Sequence, residues 1–462
     1  MSTEYGGPPP EEGSEEAEAS EERLKEIRTE KFAELPKEFV TPLESMISPD
    51  FSHILLVGSS EEEVDRESNR MIVDLSAKQA DRFDKEFKRI TNLGWSHDSK
   101  TKIFVGANDR TPNSERKALL VRNGKIVDTA QEIKCAVIRP DGEDLAYTKM
   151  RSTADNMTVD PVIGDYADNK FPRYDISLIT YSPVRSEPNK WAFAESVGDD
   201  KKTEVIVSGL EMSQSLDRKM DKISDIQFSP DGKDLYFSGI QDGMSRLFKS
   251  NEVLYDAETS EIISFRISPN SSDYALLRRD NHYHRRGKDQ IIINDQEYSD
   301  RFVETKEFFS SPDSRKLVIV GIQYDDESTD DPNKENAEYI HVYNTQNGEK
   351  DISGPYRSIH CPTFNEDGSR LACIVLKTGE NNFFLKVDEE EYKLDIASKG
   401  RKGEKVFLGL KFSINESDNK EVLEIMTNRN NRIEKKVFAV PNSKEEKEVI
   451  RMWRQEGEEG LF

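Results

Sequence analysis

Along most of the chain, short runs of apolar residues alternate with brief polar turns, and no long helical period is sustained. One pattern recurs: an apolar strand, a turn resembling Ser-Pro-Asp-Gly, then a second apolar strand. The clearest copy is ISDIQFSPDGKDLYFSG, residues 223–239. Proline sets φ for a tight turn, aspartate hydrogen-bonds the backbone ahead of it, and glycine accepts positive φ. The flanking Val, Ile, Leu, Phe and Tyr read as strands buried on both faces.

Related copies are CAVIRPDGEDLAYT from Cys135, SFRISPNSSDYALL from Ser264, FFSSPDSRKLVIVG from Phe308 and PTFNEDGSRLACIV from Pro362. LESMISPDFSHILLVG from Leu43 and NLGWSHDSKTKIFVG from Asn92 extend the series toward the N-terminus, and weaker copies begin at Leu178 and Leu410. The residue at the serine position falls at 48, 96, 139, 182, 229, 268, 311, 365 and 413, with gaps of 48, 43, 43, 47, 39, 43, 54 and 48. A period in the forties is that of a four-stranded propeller blade. Hairpin signals such as Asn123-Gly124, Asn294-Asp295 and Asn347-Gly348 supply a third and a fourth strand after the first pair.

These residues resemble the TolB-like and WD-like propeller repeats, whose first turn carries the same Ser-Pro-Asp-Gly pattern, over residues 40–450. The resemblance implies an all-β fold, a single β-propeller of about eight blades, with seven to nine admitted. The copy around Ser182 is weak, and residues 139–229 are also compatible with one blade carrying long insertions. The Trp-Asp ending of WD repeats is absent; Leu247-Phe248 and Val342-Tyr343 stand at such positions. The resemblance implies no particular activity, because this propeller type hosts binding platforms and enzyme accessory domains alike.

The expected organisation is a disordered acidic tail over 1–22, an amphipathic helix or linker over 23–40, the propeller over 41–452 and an acidic tail over 453–462. The helix rests on Leu24, Ile27, Phe32 and Leu35 at helical spacing among charges. Packing against the propeller and binding to a partner are both open to it. The net charge is −24, and eight glutamates without Lys or Arg in the first 22 residues supply a third of it. An acidic surface disfavours generic binding to nucleic acid or anionic membranes. No apolar stretch is long enough to span a bilayer, and no basic-then-apolar leader opens the chain. Cys135, Cys361 and Cys373 are far apart and read as reduced buried thiols, so a cytoplasmic location is expected.

Catalytic signatures are sparse. No G-x-S-x-G precedes a helix, Ser96 sits at a repeat turn despite its neighbour His97, and no zinc, calcium or phosphate-loop spacing occurs. No cofactor or metal is expected. Function is therefore sought in the connections between the second and third strands: 107–116, 151–174, 278–289 and 323–337. These share one face of the disc, and long loops on a rigid scaffold are where recognition concentrates. RRDNHYHRRGK, residues 278–288, carries five Arg or Lys in an acidic protein, whereas YDDESTDD, 324–331, carries five acids. The two loops either pair with each other or leave a basic patch. The candidate binding residues are Arg278, Arg279, His282, Tyr283, His284, Arg285, Arg286 and Lys288, suited to an acidic peptide or a phosphate group. An RNA site there is disfavoured by the presence of one aromatic, Tyr283. The expected function is a non-enzymatic protein- or peptide-binding scaffold. The alternatives are a hydrolase or lyase using carboxylates of the central channel, and an architectural subunit of a larger complex.

Overall fold

A computed structural model describes residues 26–440. Outside the description lie segments 62–67, 109–116, 153–156, 164–175, 185–189, 198–201, 209–212, 281–288, 324–336, 398–406 and 416–419, and a few isolated positions. The expected terminal tails also lie outside it. Among the described residues there are thirty-three strands, no helix and seven antiparallel sheets. The architecture is all-β and propeller-like, made of small meanders that each surround one of the recurring turns.

Each meander is named here by its turn residue. The Ser48 unit comprises Thr41–Ile47, His53–Ser59, Arg70–Ser76 and Ala80–Arg82. The Ser96, Ser182 and Ser229 units likewise have four strands in sequence order. The Ser268, Ser311 and Asn365 units merge into one ten-stranded sheet. Two fifteen-residue strands, Gln296–Ser310 and Lys350–Phe364, each end one meander and begin the next.

Two expectations need correction. The amphipathic helix over 23–40 is instead the strand Glu26–Glu34, antiparallel to Arg432–Ala439 at the edge of the Ser413 unit. A register shift between Lys31 and Ala33 breaks the alternation, so that Phe32 and Ala33 are both buried. That irregularity hides the period of two and lets the segment imitate a helix. The presumed loop 151–174 contains the strand Met157–Ile163, paired rung by rung with Ala146–Ser152. Residues 139–229 accordingly hold two sheets, one around Arg139 with three described strands and one around Ser182 with four.

The turns follow one chemical plan. In the Ser48 unit, Ser48 Oγ donates to Asp50 at 2.6 Å and accepts the His53 amide at 2.9 Å. Asp50 in turn accepts the Ser52 amide at 3.0 Å. Ser96 with Asp98, Ser229 with Asp231 and Ser311 with Asp313 repeat the arrangement. Three residues after the turn serine the backbone is left-handed, at Ser99, Gly232, Ser271 and Ser314 among others. Each serine hydroxyl there is used by the preceding unit: the amides of Asp50, Asp231 and Asn270 donate to Ser99, Ser271 and Ser314 at 3.0, 3.3 and 2.9 Å. A row of turns is thereby tied edge to edge.

Apolar clusters join every consecutive pair of units. Ile103, Val105 and Leu120 meet Ile133 and Tyr147 between the Ser96 and Arg139 units, and Ile291 and Phe302 meet Phe308 and Ile319 between the Ser268 and Ser311 units. The last cluster matters most. Leu408, Met426 and Ile433 of the Ser413 unit pack with Phe32, Leu35 and Phe39, and with Ile54, Leu56 and Val73 of the Ser48 unit. The final sheet thus lies against the first, with the N-terminal strand at their junction.

Candidate functional site

The basic segment 278–288 joins Tyr274–Asp280 to Asp289–Ile293, the second and third strands of the Ser268 unit. The last two rungs before it pair Arg278 with Gln290 and Arg279 with Asp289. Successive strand residues point to opposite faces, so the two arginines leave the sheet on opposite sides. Arg278 Nη1 donates to Tyr255 Oη and to Glu297 Oε1, both at 2.7 Å, and its Nη2 donates to Gln290 Oε1 at 2.5 Å. Arg279 clasps Asp289 through two bonds, Nε to Oδ1 at 2.7 Å and Nη2 to Oδ2 at 3.1 Å.

Asp289 is almost fully buried while the Arg279 side chain is 40% exposed. Thr305 Oγ1 of the next unit also donates to Asp289, at 3.5 Å. The hydrogen bond to Asp289 outweighs desolvation and raises the Arg279 pKa. For Arg278, burial alone would lower the pKa, but the bonds to Glu297 and the charge beside Tyr255 raise it. Both guanidiniums are thus committed to partners of the scaffold. The other six candidate residues, His282, Tyr283, His284, Arg285, Arg286 and Lys288, lie outside the described residues, as does the acidic segment 324–331.

Histidine chemistry is also built into the scaffold. His341 is fully buried beside Asp300, whose carboxylate accepts Lys350 Nζ at 2.9 Å on both oxygens and Tyr343 Oη at 2.9 Å. Burial holds His341 well below the ordinary histidine range; Asp300 opposes this and Lys350 reinforces it. Its Nε2 has no hydrogen-bond partner. Between the Ser48 and Ser96 units, His53 Nδ1 lies 3.1 Å from Asp74, which also pairs with Lys102, and Trp95 flanks both the imidazole and the ammonium. Ser96 is fully buried in its turn bonds, which assigns it to the repeat rather than to nucleophilic chemistry.

On the first strand of the Ser229 unit, Asp225 has its pKa raised by burial, against the opposing effects of the Ile226 amide and Arg266. Sequence reasoning passed over Asp225, Asp289 and the Asp300 network. Their partners come from separate strands, so no contiguous spacing marks them. Among the described residues, no group of three or more His, Cys, Asp or Glu is arranged to hold a metal ion, and no helix is long and apolar enough to cross a membrane.

No family profile matches the sequence, and no curated protein does. Among solved structures, the chain is similar to a eukaryotic initiation factor at 12% identity, covering 76% of this chain and 89% of that one with a TM-score of 0.44. The β-propeller domain of Myceliophteria thermophila Cps50 (Swd1) is similar at 9% identity, with 89% and 99% covered and a TM-score of 0.33. A prolyl endopeptidase is similar at 10% identity, with 76% and 56% covered and a TM-score of 0.42. The fold assignment rests on the meanders and the clusters between them.

Proposed function

We propose that the chain is a closed propeller of nine blades, one per turn unit, of the TolB-like or WD-like kind, one more than the eight expected and at the upper end of the seven to nine admitted. On this reading it serves as a non-enzymatic platform for a protein or peptide partner in the cytoplasm. The observation that carries the proposal is the contrast between the two ends of the Ser268 unit. At one end its turn is bonded into the turn-to-turn row. At the other, Arg278 and Arg279 close the neck beneath a segment containing His282, Tyr283, His284, Arg285, Arg286 and Lys288. A short, strongly basic segment on a braced root suits recognition of acidic peptide side chains. Arg278 and Arg279, first grouped with the contact residues, become its supports. A pull-down with the Arg285→Glu, Arg286→Glu double variant tests the proposal; unchanged partner recovery counts against it.

A second reading, a hydrolase or lyase acting in the central channel, is favoured by Asp225, whose raised pKa suits proton transfer. In a propeller the first strand of each blade lines the channel, which is where Asp225 would act. Screening the wild type against Asp225→Asn for ester, glycoside and lyase substrates tests it; equal turnover by both proteins removes Asp225 from consideration.

A further inference from the structure

We propose that Arg266 anchors a carboxylate-binding site where the first strands of the Ser229, Ser268 and Ser311 units meet, taking a monocarboxylate in the plane of its guanidinium. The site goes beyond the partner platform and draws on no residue of the basic segment. Its strands are Lys222–Phe228, Ser260–Ile267 and residues 304–310 of Gln296–Ser310, with the middle one in contact with both others. The pleat sorts their side chains. Ile226 and Phe228 pack on Ala192 and Val205 of the Ser182 unit, which turns Asp225 and Gln227 toward the Ser268 unit. Phe265 and Ile267 pack on Tyr236 and Leu247 of the Ser229 unit, which turns Ser264 and Arg266 toward the Ser311 unit.

The guanidinium of Arg266 is steadied on two sides and open on a third. Its Nη1 donates to the Phe265 carbonyl at 2.8 Å and to Ser264 Oγ at 3.3 Å, and the Phe308 ring of the Ser311 unit is centred 5.8 Å from the guanidinium carbon. The residue is exposed, and among the described residues its Nε and Nη2 have no partner. Other arginines use that edge: Arg139, Arg246, Arg279 and Arg370 each give Nε to a scaffold carboxylate. Two parallel N–H donors on a fixed plane match the two oxygens of a carboxylate.

Asp225 sets the charge of the ligand. It is half-buried, and its Oδ1 accepts the Ile226 amide at 2.8 Å. Burial raises its pKa, while the Ile226 amide and the charge of Arg266 oppose this, so the guanidinium lies within its electrostatic reach. Lys306, on the third strand, is paired with Glu338. One open guanidinium beside a carboxylate suits a single negative charge, whereas the second charge of a phosphate dianion meets repulsion. The ligand is therefore the carboxylate of a small acid or of a peptide C-terminus.

The test titrates the full chain by ligand-observed NMR with benzoate, benzamide, N-acetyl-trialanine, its C-terminal amide and inorganic phosphate. The proteins are wild type, Arg266→Gln, Arg266→Lys and Asp225→Asn, each with its thermal transition recorded to confirm folding. Wild type is expected to bind at least one of the two carboxylates and neither amide. Binding of benzoate alone assigns a small acid, and tighter binding of the peptide assigns a C-terminus. Arg266→Gln should weaken binding about ten- to hundredfold, through loss of hydrogen bonds between charged groups. Arg266→Lys should recover little of it, because an ammonium lacks the two-pronged edge. Asp225→Asn should keep the carboxylate and admit phosphate.

No binding of either carboxylate by wild type, amides bound as tightly as acids, or full affinity in Arg266→Gln overturns the site. Phosphate bound by wild type as tightly as the carboxylate, or still excluded by Asp225→Asn, overturns the role of Asp225. Only binding is read, so catalysis in the channel at Asp225 stands or falls separately.

Discussion

The backbone amide of Asp50 donates to the hydroxyl of Ser99 across 3.0 Å, joining the turn of one unit to the turn of the next. Ser99 stands in left-handed backbone, φ 61°, with its hydroxyl turned to the neighbouring turn. The equivalent serines Ser271 and Ser314 do the same for Asp231 and Asn270. Ser99→Ala should therefore lower stability by about 1 kcal/mol, the net worth of one hydrogen bond. Ser99→Gly should cost less than Ser99→Ala, because glycine relieves the strain of positive φ while losing the same bond. Urea denaturation of the two variants checks the order.

A second repeat device sits at the opposite end of the strands. Phe39, Phe87 and Phe302 each lie nine residues before a turn residue, and Gly58, Gly106 and Gly321 each lie ten after it. The ring occupies the space a glycine side chain would need at Gly58 and Gly106, while at Gly321 the Glu304 carbonyl oxygen crowds that space with Phe302 close behind. Gly106→Ala is expected to destabilise by about 1–3 kcal/mol through overpacking. Pairing it with Phe87→Leu should recover part of that loss, giving a coupling energy in a double-mutant cycle. Additive effects would mean that the two side chains do not compete for the same space.

The turns show how the fold is legible in sequence: they are local patterns repeated at the blade period. Even the weak copy at Ser182 proves to have its own sheet. Legibility ends where partners come from distant segments. Glu26–Glu34 finds its ladder about 400 residues away, and its bulge disguises its alternation. Arg278 and Arg279 have the composition of a binding patch, but Tyr255, Glu297, Gln290 and Asp289, which occupy them, become neighbours only on folding.

The N-terminal strand is expected to be structural. Phe32, Leu35 and Phe39 are buried between the first and last units, and burying such a side chain contributes about 1.5–3 kcal/mol. Deleting residues 1–40 should therefore abolish cooperative folding, and deleting 1–22 should leave the melting temperature unchanged. Calorimetry of the two truncations distinguishes them; a cooperative transition at the wild-type temperature in the longer deletion would show that the seam closes without the strand.

His341 predicts a pH response. Its folded-state pKa lies below the ordinary value of 6.5 because burial disfavours the imidazolium. The unfolded chain therefore binds the proton more readily, and stability should fall as pH drops below about 6.5. His341→Phe should reduce the slope in that range, with His53, also held below the ordinary histidine value by burial, keeping the remainder, and leave the decline from carboxylate protonation at lower pH. Denaturation midpoints measured between pH 7 and pH 4 show whether the slope follows His341.

The central claim is that partners engage the end of the propeller carrying the 281–288 segment, not the end made of bonded turns. Cross-linking mass spectrometry of the native complex with a lysine-reactive reagent tests it directly. Lys288, and Lys306 on the neighbouring first strand, are expected to link to the partner. Lys100 and Lys233, with side chains 81% and 79% exposed beside their turns, are expected to remain unlinked to it. Partner cross-links concentrated on Lys100 and Lys233, with none from Lys288 or Lys306, would contradict the account.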